Sequence, residues 1–135
     1  MSSECEEKDA IRELLARYCY HFDGGEFEQW LDLFTADGAF DLGTRGRFVG
    51  RDGLRDFLKI VPLTNGQPMM RHCVTNVIVE LQGDHATAQS YVLVVRGGET
   101  IGVTVVGRYN DRLVKQNGAW RFQERTVLFD MIAGS

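Results

Sequence analysis

Three histidines and a handful of carboxylates are the side chains in this sequence with the types and spacing for proton transfer, because imidazole titrates closest to neutrality and a neighbouring carboxylate can orient it as a general base. Their settings differ. His85 follows Gly83-Asp84 in a hairpin signal and is expected in solvent. His21 lies near the end of a helical pattern but off its apolar stripe, where an exposed imidazole suits the negative end of the helix dipole. His72 opens a strand in which Val74, Asn76 and Ile78 share its face by alternation. It is expected inside, either as a core histidine bonded to a backbone carbonyl or as a catalytic base. Asp23 stands on the flank of the first helical stripe, at the end where the dipole disfavours a carboxylate. It is either a turn aspartate before Gly24-Gly25 or a group compensated by a donor such as an imidazole N–H. Tyr18, five positions earlier, has a ring for the core and a hydroxyl that needs a partner. Asp41 is set aside, since alternation turns it away from Phe40 and Leu42. Glu4, Glu6, Glu7, Asp111 and Arg112 read as solvated faces.

The elements that must position these residues follow from periodicity. Ser3 and Glu6 form a capping-box signal, and Ile11, Leu14, Leu15, Tyr18 and Phe22 make a helical stripe ended by Gly24-Gly25. Phe27, Trp30, Leu31 and Phe34 make a second, short helix. From Gly38 the period becomes two, predicting a strand with Phe40 and Leu42 on one face and Phe48-Val49-Gly50 as its hairpin partner. Asp52 is placed to cap a helix carrying Leu54, Phe57, Leu58 and Val61, which breaks at Pro62 before the Asn65-Gly66 turn. Four long strands are expected over residues 70–82, 85–97, 100–115 and 119–131, separated by Gly83-Asp84, Gly97-Gly98 and Asn117-Gly118. Helices first and an antiparallel meander last make an α+β pattern, with helices on one face of a curved sheet that encloses a pocket.

Composition narrows the classes. The 135 residues are 44% hydrophobic and 25% charged with 2 prolines, which predicts one domain over residues 1–135. A net charge of −4 advertises no basic face, so nucleic acid is not an expected partner. Cys5, Cys19 and Cys73 are too few for a disulfide framework and point to a reducing, cytoplasmic setting. The polar start MSSECEEKD lacks a secretory pattern, and no apolar run reaches membrane-spanning length. No metal-ligand spacing and no glycine-rich phosphate loop occurs, so neither a metal nor another cofactor is expected.

The stretches IRELLARYCYHFDGGEFEQWLDLFTADGAF, FVGRDGLRDFL, MRHCVTNVIVEL, GDHATAQSYVLV and GRYNDRLVKQNGAWRFQER resemble the SnoaL-like branch of the NTF2-like superfamily over nearly the whole chain. That group includes polyketide cyclases, ketosteroid isomerase, scytalone dehydratase, a hexachlorocyclohexane dehydrochlorinase and a bile-acid dehydratase. The resemblance implies a cone-shaped α+β fold, a pocket inside the cone and a homodimer or higher oligomer. It also implies that Asp23 and His72 occupy the positions of the family's Asp–His pair, and that Tyr18 matches the tyrosine of the bile-acid dehydratase type, where the dehydrochlorinase has a lysine. Arg125 resembles the dehydrochlorinase's pocket arginine, although alternation from Trp120 and Phe122 puts it on the opposite face unless a bulge intervenes. The ketosteroid isomerase base would fall at Leu42 or Gly43, neither of which is a base.

Together these readings make His72 a base oriented by Asp23, with Tyr18 donating to a leaving hydroxyl or an oxyanion. The expected activity is a cofactor-free lyase or isomerase reaction on a small apolar molecule, polycyclic ones included: dehydration, elimination, isomerisation or cyclisation. Asn76 either positions substrate or serves structure. Trp30, Phe34, Phe57, Met69, Met70 and Arg125 are substrate-contact candidates, and aromatic and Met residues at such spacings also serve as ordinary core. The alternatives are a binding protein of the same fold without turnover, and a non-catalytic subunit like that of ring-hydroxylating dioxygenases.

Overall fold

A computed structural model describes residues 2–134. In chain order the elements are α1 (Glu4–Asp23), α2 (Phe27–Leu31), β1 (Phe34–Asp41), a 3-10 turn at Gly43–Arg45, β2 (Arg47–Val49), α3 (Gly50–Lys59), β3 (Met70–Gln82), β4 (His85–Arg96), β5 (Gly102–Gln116) and β6 (Ala119–Ile132). The six strands form one open sheet in the order β2-β1-β6-β5-β4-β3. Every pairing is antiparallel except β1 with β6. The helices lie on one face of this curved sheet, with α1 against β3 and β6 and α3 against β1.

Local chemistry accounts for the frame. Ser3 Oγ accepts the Glu6 N–H at 3.1 Å, and Glu4, Glu6 and Glu7 place negative charge in the first turn of α1, where the dipole favours it. The helix then buries Ile11, Leu14, Leu15, Tyr18, Cys19 and Phe22 against the sheet. Each large apolar side chain fully buried in this way contributes about 1.5–3 kcal/mol. Asn65-Gly66 and Asn117-Gly118 turn with φ of 53°, 78°, 51° and 81°, all in the left-handed region that Asn and Gly tolerate.

Several expected boundaries move. The second helix stops at Leu31, and Phe34 instead opens β1, where it pairs with Phe122 of β6. The sheet claims its backbone, since Leu33 accepts the Phe122 N–H at 2.8 Å. Helix α3 begins at Gly50, with Val49 at its cap and Asp52 in its first turn. β5 begins at Gly102, two residues later than its alternation suggested.

Two bulges matter more, because each reverses the faces of the residues beyond it. In β3 the register shifts between Thr75 and Ile78, and Asn76 adopts φ 56°. Val77, Val79 and Leu81 therefore pack inward, while Asn76 and Ile78 are exposed. The reading of Asn76 and Ile78 as sharing the face of His72 is corrected by this bulge. In β6 the register passes from Glu124↔Arg112 to Phe122↔Leu113, leaving Gln123 as the extra residue. Trp120 and Phe122 point inward before it, and Arg125 and Val127 after it.

Candidate active site

Asp23 is the last residue of α1 and His72 the third of β3, which is an edge strand. An edge strand leaves alternate N–H groups without a sheet partner. The N–H of His72 is one, and the helix end supplies its acceptor. Asp23 Oδ2 accepts that backbone N–H at 2.9 Å, while Oδ1 accepts the ring Nδ1–H at 2.7 Å. Both side chains are about nine-tenths buried. The carboxylate at the unfavourable end of α1 is thus compensated by two donors from one residue. With Nδ1 protonated toward Asp23, Nε2 carries the lone pair, and no described residue hydrogen bonds to it.

His72 lines a cavity of about 230 Å³ whose inner wall is formed by Tyr18, Phe22, Phe40, Tyr109 and Val127. Leu42, Ile60, Val61, Pro62, Val94 and Val105, all near the ends of elements, line its outer part. Apart from the imidazole and two phenol hydroxyls, this wall is apolar, so it suits a small apolar ligand that offers a few polar atoms. A second cavity of about 540 Å³ adjoins the other side of the pair and is lined by Cys19, Tyr20, Asp23, Gln67, Arg71 and Cys73. It lacks the buried phenols, with which the imidazole shares the apolar cavity.

Tyr18 is buried at the centre of the aromatic core, its ring 6.4 Å from that of His72 and nearly perpendicular to it. Burial pushes its hydroxyl well above the ordinary phenol range, and Arg125 and a hydrogen bond from Tyr109 oppose the shift. The group therefore stays protonated at neutral pH. Tyr109 is raised likewise by burial.

The sequence-derived candidates divide in space. Tyr18, Asp23, His72, Phe57 and Met70 converge on the site, all but Asp23 lining the apolar cavity. Trp30 and Phe34 do not line it; they pack behind Tyr18, with ring centroids at 5.6 and 6.4 Å. Asn76 is exposed, and Met69 is 55% exposed. Arg125 is completely buried beneath the tyrosines and outside the cavity wall. Its Nε–H and Nη2–H donate to Asp111 Oδ1 and Oδ2 at 2.8 and 3.0 Å. Asp111 is therefore the buried half of an ion pair, which corrects its reading as part of a solvated face. Strict alternation through Gly107, Tyr109, Asp111 and Leu113, all buried, was the signal that could have found both Asp111 and the unforeseen Tyr109. His21 contacts Glu26 at 3.1 Å, His85 is exposed, and Asp41 takes the Gly43 N–H and Arg47 at the surface.

The family model for SnoaL-like domains matches residues 3–126. The chain belongs to the SnoaL-like family. An aspartate-to-asparagine variant of Rv3472, a protein of unknown function from Mycobacterium tuberculosis, is 31% identical to this SnoaL-like protein. It superposes with a TM-score of 0.83 over 96% of this chain and 75% of its own. A candidate scytalone dehydratase from Novosphingobium aromaticivorans is 25% identical, with a TM-score of 0.84 over 97% of this chain and 89% of its own. A Catenulispora acidiphila protein in complex with S-DNPA is 25% identical, with a TM-score of 0.80 over 94% of this chain and 96% of its own. No curated protein matches the chain. The SnoaL-like fold hosts many activities, so function rests on the site. Among the described residues, no group of three His, Cys, Asp or Glu side chains is placed to hold a metal ion.

Proposed function

We propose that this SnoaL-like protein is a cofactor-independent lyase or isomerase that abstracts a proton from a small apolar substrate, with His72 as base, Asp23 as its orienting carboxylate and Tyr18 as donor. The observation that carries the proposal is the two-point hold of Asp23 on His72 at the wall of an apolar cavity that also presents Tyr18. The candidate scytalone dehydratase among its structural neighbours supports the same reading.

In a dehydration, the substrate carbonyl oxygen accepts a hydrogen bond from Tyr18. The C–H bond next to that carbonyl breaks, its proton passes to His72 Nε2, and its electron pair becomes an enolate. The enolate then re-forms the carbonyl as a C=C bond forms and the β C–O bond breaks. The departing hydroxyl takes the proton from Nε2 and leaves as water, so base and donor return to their starting states. Isomerisation uses the same first step and returns the proton to another carbon. Asp23 stabilises the imidazolium between the two transfers, and general acid–base catalysis of this kind contributes about 10²–10⁴-fold.

The test is a screen of β-hydroxy ketones and enolisable bicyclic ketones against the wild type, His72→Ala and Asp23→Asn. Turnover that is lost in both variants supports the dyad; turnover that survives both refutes it. A binding protein without turnover is the other reading, favoured by the S-DNPA complex of the Catenulispora neighbour. Apolar ligands that bind to the wild type and both variants alike, without conversion, would establish that reading instead.

A further inference from the structure

Arg125 is the largest buried charge the proposed chemistry leaves unused. It has no exposed surface, and its single carboxylate partner, Asp111, occupies only Nε and Nη2. Nη1 is buried without a hydrogen-bond partner. Stability alone does not account for this arrangement, since a buried ion pair is often replaceable by apolar residues of similar volume and an unpaired buried N–H is unfavourable. What surrounds the guanidinium is aromatic. Its central carbon lies 3.5 Å from the ring centroid of Tyr109, 4.3 Å from that of Tyr18 and 4.6 Å from that of Phe122. The two tyrosine rings meet edge to face at 5.9 Å, and both line the cavity.

The geometry points to a phenol relay at the cavity's inner end, in which Tyr109 donates to Tyr18 and Tyr18 to the ligand, polarised from behind by Arg125 and built to hold a ligand oxygen that carries or develops negative charge. A cation on the face of a phenol ring draws charge from the ring and strengthens its O–H as a donor. Asp111 orients the cation through both oxygens, and its own charge opposes Arg125. At Tyr18 the effect of Arg125 is the larger of the two. Arg125 and Tyr109 are thus positioning residues that act through Tyr18, the donor that touches the ligand. The ligand class follows: enolisable ketones and phenols, in preference to apolar molecules of equal size without such an oxygen. This rests on the proposed lyase or isomerase reading and names the substrate group that reads the donors.

The probes are 2-naphthol and naphthalene, of nearly equal shape, bound to protein carrying His72→Gln so that no imidazolium contributes charge. Fluorescence titration across the naphthol's ionisation reports affinity for the phenolate relative to the phenol, and naphthalene reports the intact cavity. With Arg125 present the phenolate is favoured. Arg125→Met combined with Asp111→Leu is expected to cut that preference about tenfold, the factor that ~1.4 kcal/mol represents, while naphthalene affinity holds. Tyr109→Phe is expected to do the same with the ion pair intact. An unchanged preference in either variant that still binds naphthalene overturns the inference. If the double variant loses naphthalene binding, Tyr109→Phe decides alone. No proton is abstracted in this assay, so the inference and the role of His72 can fail separately.

Discussion

Asp23 holds His72 at two points, its Oδ1 on the ring Nδ1–H and its Oδ2 on the backbone N–H of the same residue. One carboxylate thereby fixes both the path of the strand at its edge and the tautomer of the imidazole it carries. Asp23→Asn separates the two effects, because the amide oxygen can replace only one of the acceptors. If it keeps the backbone bond, its NH₂ faces Nδ1 and drives the proton to Nε2. Turnover is expected to fall about 10²–10⁴-fold, with the lower bound set by what orientation alone supplies. Steady-state kinetics beside urea unfolding checks this, and a loss of activity no larger than the loss of folded protein would argue against the tautomer account.

The ion pair beneath the site supports the fold as well as the tyrosines. Removing one partner, as in Asp111→Ala, leaves an uncompensated guanidinium in the core and is expected to cost about 3–5 kcal/mol. Asp111→Ala with Arg125→Met is expected to recover much of that loss. Denaturant unfolding of the three proteins measures it directly.

Tyr18 and Tyr109 also set an alkaline limit. Burial raises both above the ordinary phenol value in the folded chain. Below about pH 10 they are neutral in both states and stability is fully present. Above it the unfolded chain ionises them and the folded chain does not, so the unfolding free energy falls as pH rises. Urea midpoints at about pH 8 and about pH 11 should show the decline, and Tyr109→Phe should reduce it.

The cysteines offer a check on burial. Cys5 and Cys73 are exposed and Cys19 is buried, its thiol pushed up to about 11 chiefly by that burial. At about pH 8 roughly a thousandth of it is thiolate. A colorimetric thiol reagent should therefore label two cysteines quickly and the third only as the protein opens.

The bulge at Asn76 makes a prediction of the opposite kind, an effect on stability without one on catalysis. Its φ of 56° is tolerated by Asn and Gly but strains a β-branched side chain. Asn76→Gly should be nearly neutral and Asn76→Val should cost about 1–2 kcal/mol, both with unchanged turnover per folded molecule.

Residue pattern alone carried the architecture far. β3 matches its predicted residues 70–82, and Ser3, Gly24, Asn65-Gly66 and Asn117-Gly118 punctuate the chain where expected. Asp23, His72 and Tyr18 were legible because each broke a local rule: a carboxylate at the wrong helix end, an imidazole on an apolar face, a hydroxyl in a core stripe. Asn76 and Arg125 depended on alternation continuing through β3 and β6. A bulge in each strand reversed the count, and bulges depend on how a neighbouring strand pairs. The resemblance raised Arg125 as a pocket residue; the bulge turns it inward, yet it stops behind the tyrosines. Phe34 was drawn into a helix by spacing that β1 also accommodates, and its pairing with Phe122 decided between them.

The central claim, that His72 abstracts a proton within the apolar cavity under the hold of Asp23, is tested most directly by carbon-acid exchange. 2-Tetralone, a bicyclic ketone with acidic C–H bonds beside its carbonyl, is incubated in D₂O with the wild type, His72→Gln and Asp23→Asn, and deuterium uptake at those positions is followed by NMR. The account predicts catalysed exchange by the wild type that falls to the buffer rate in His72→Gln and lies close to it in Asp23→Asn. Exchange that persists at the wild-type rate in a folded His72→Gln protein, or wild-type exchange no faster than buffer, would contradict it.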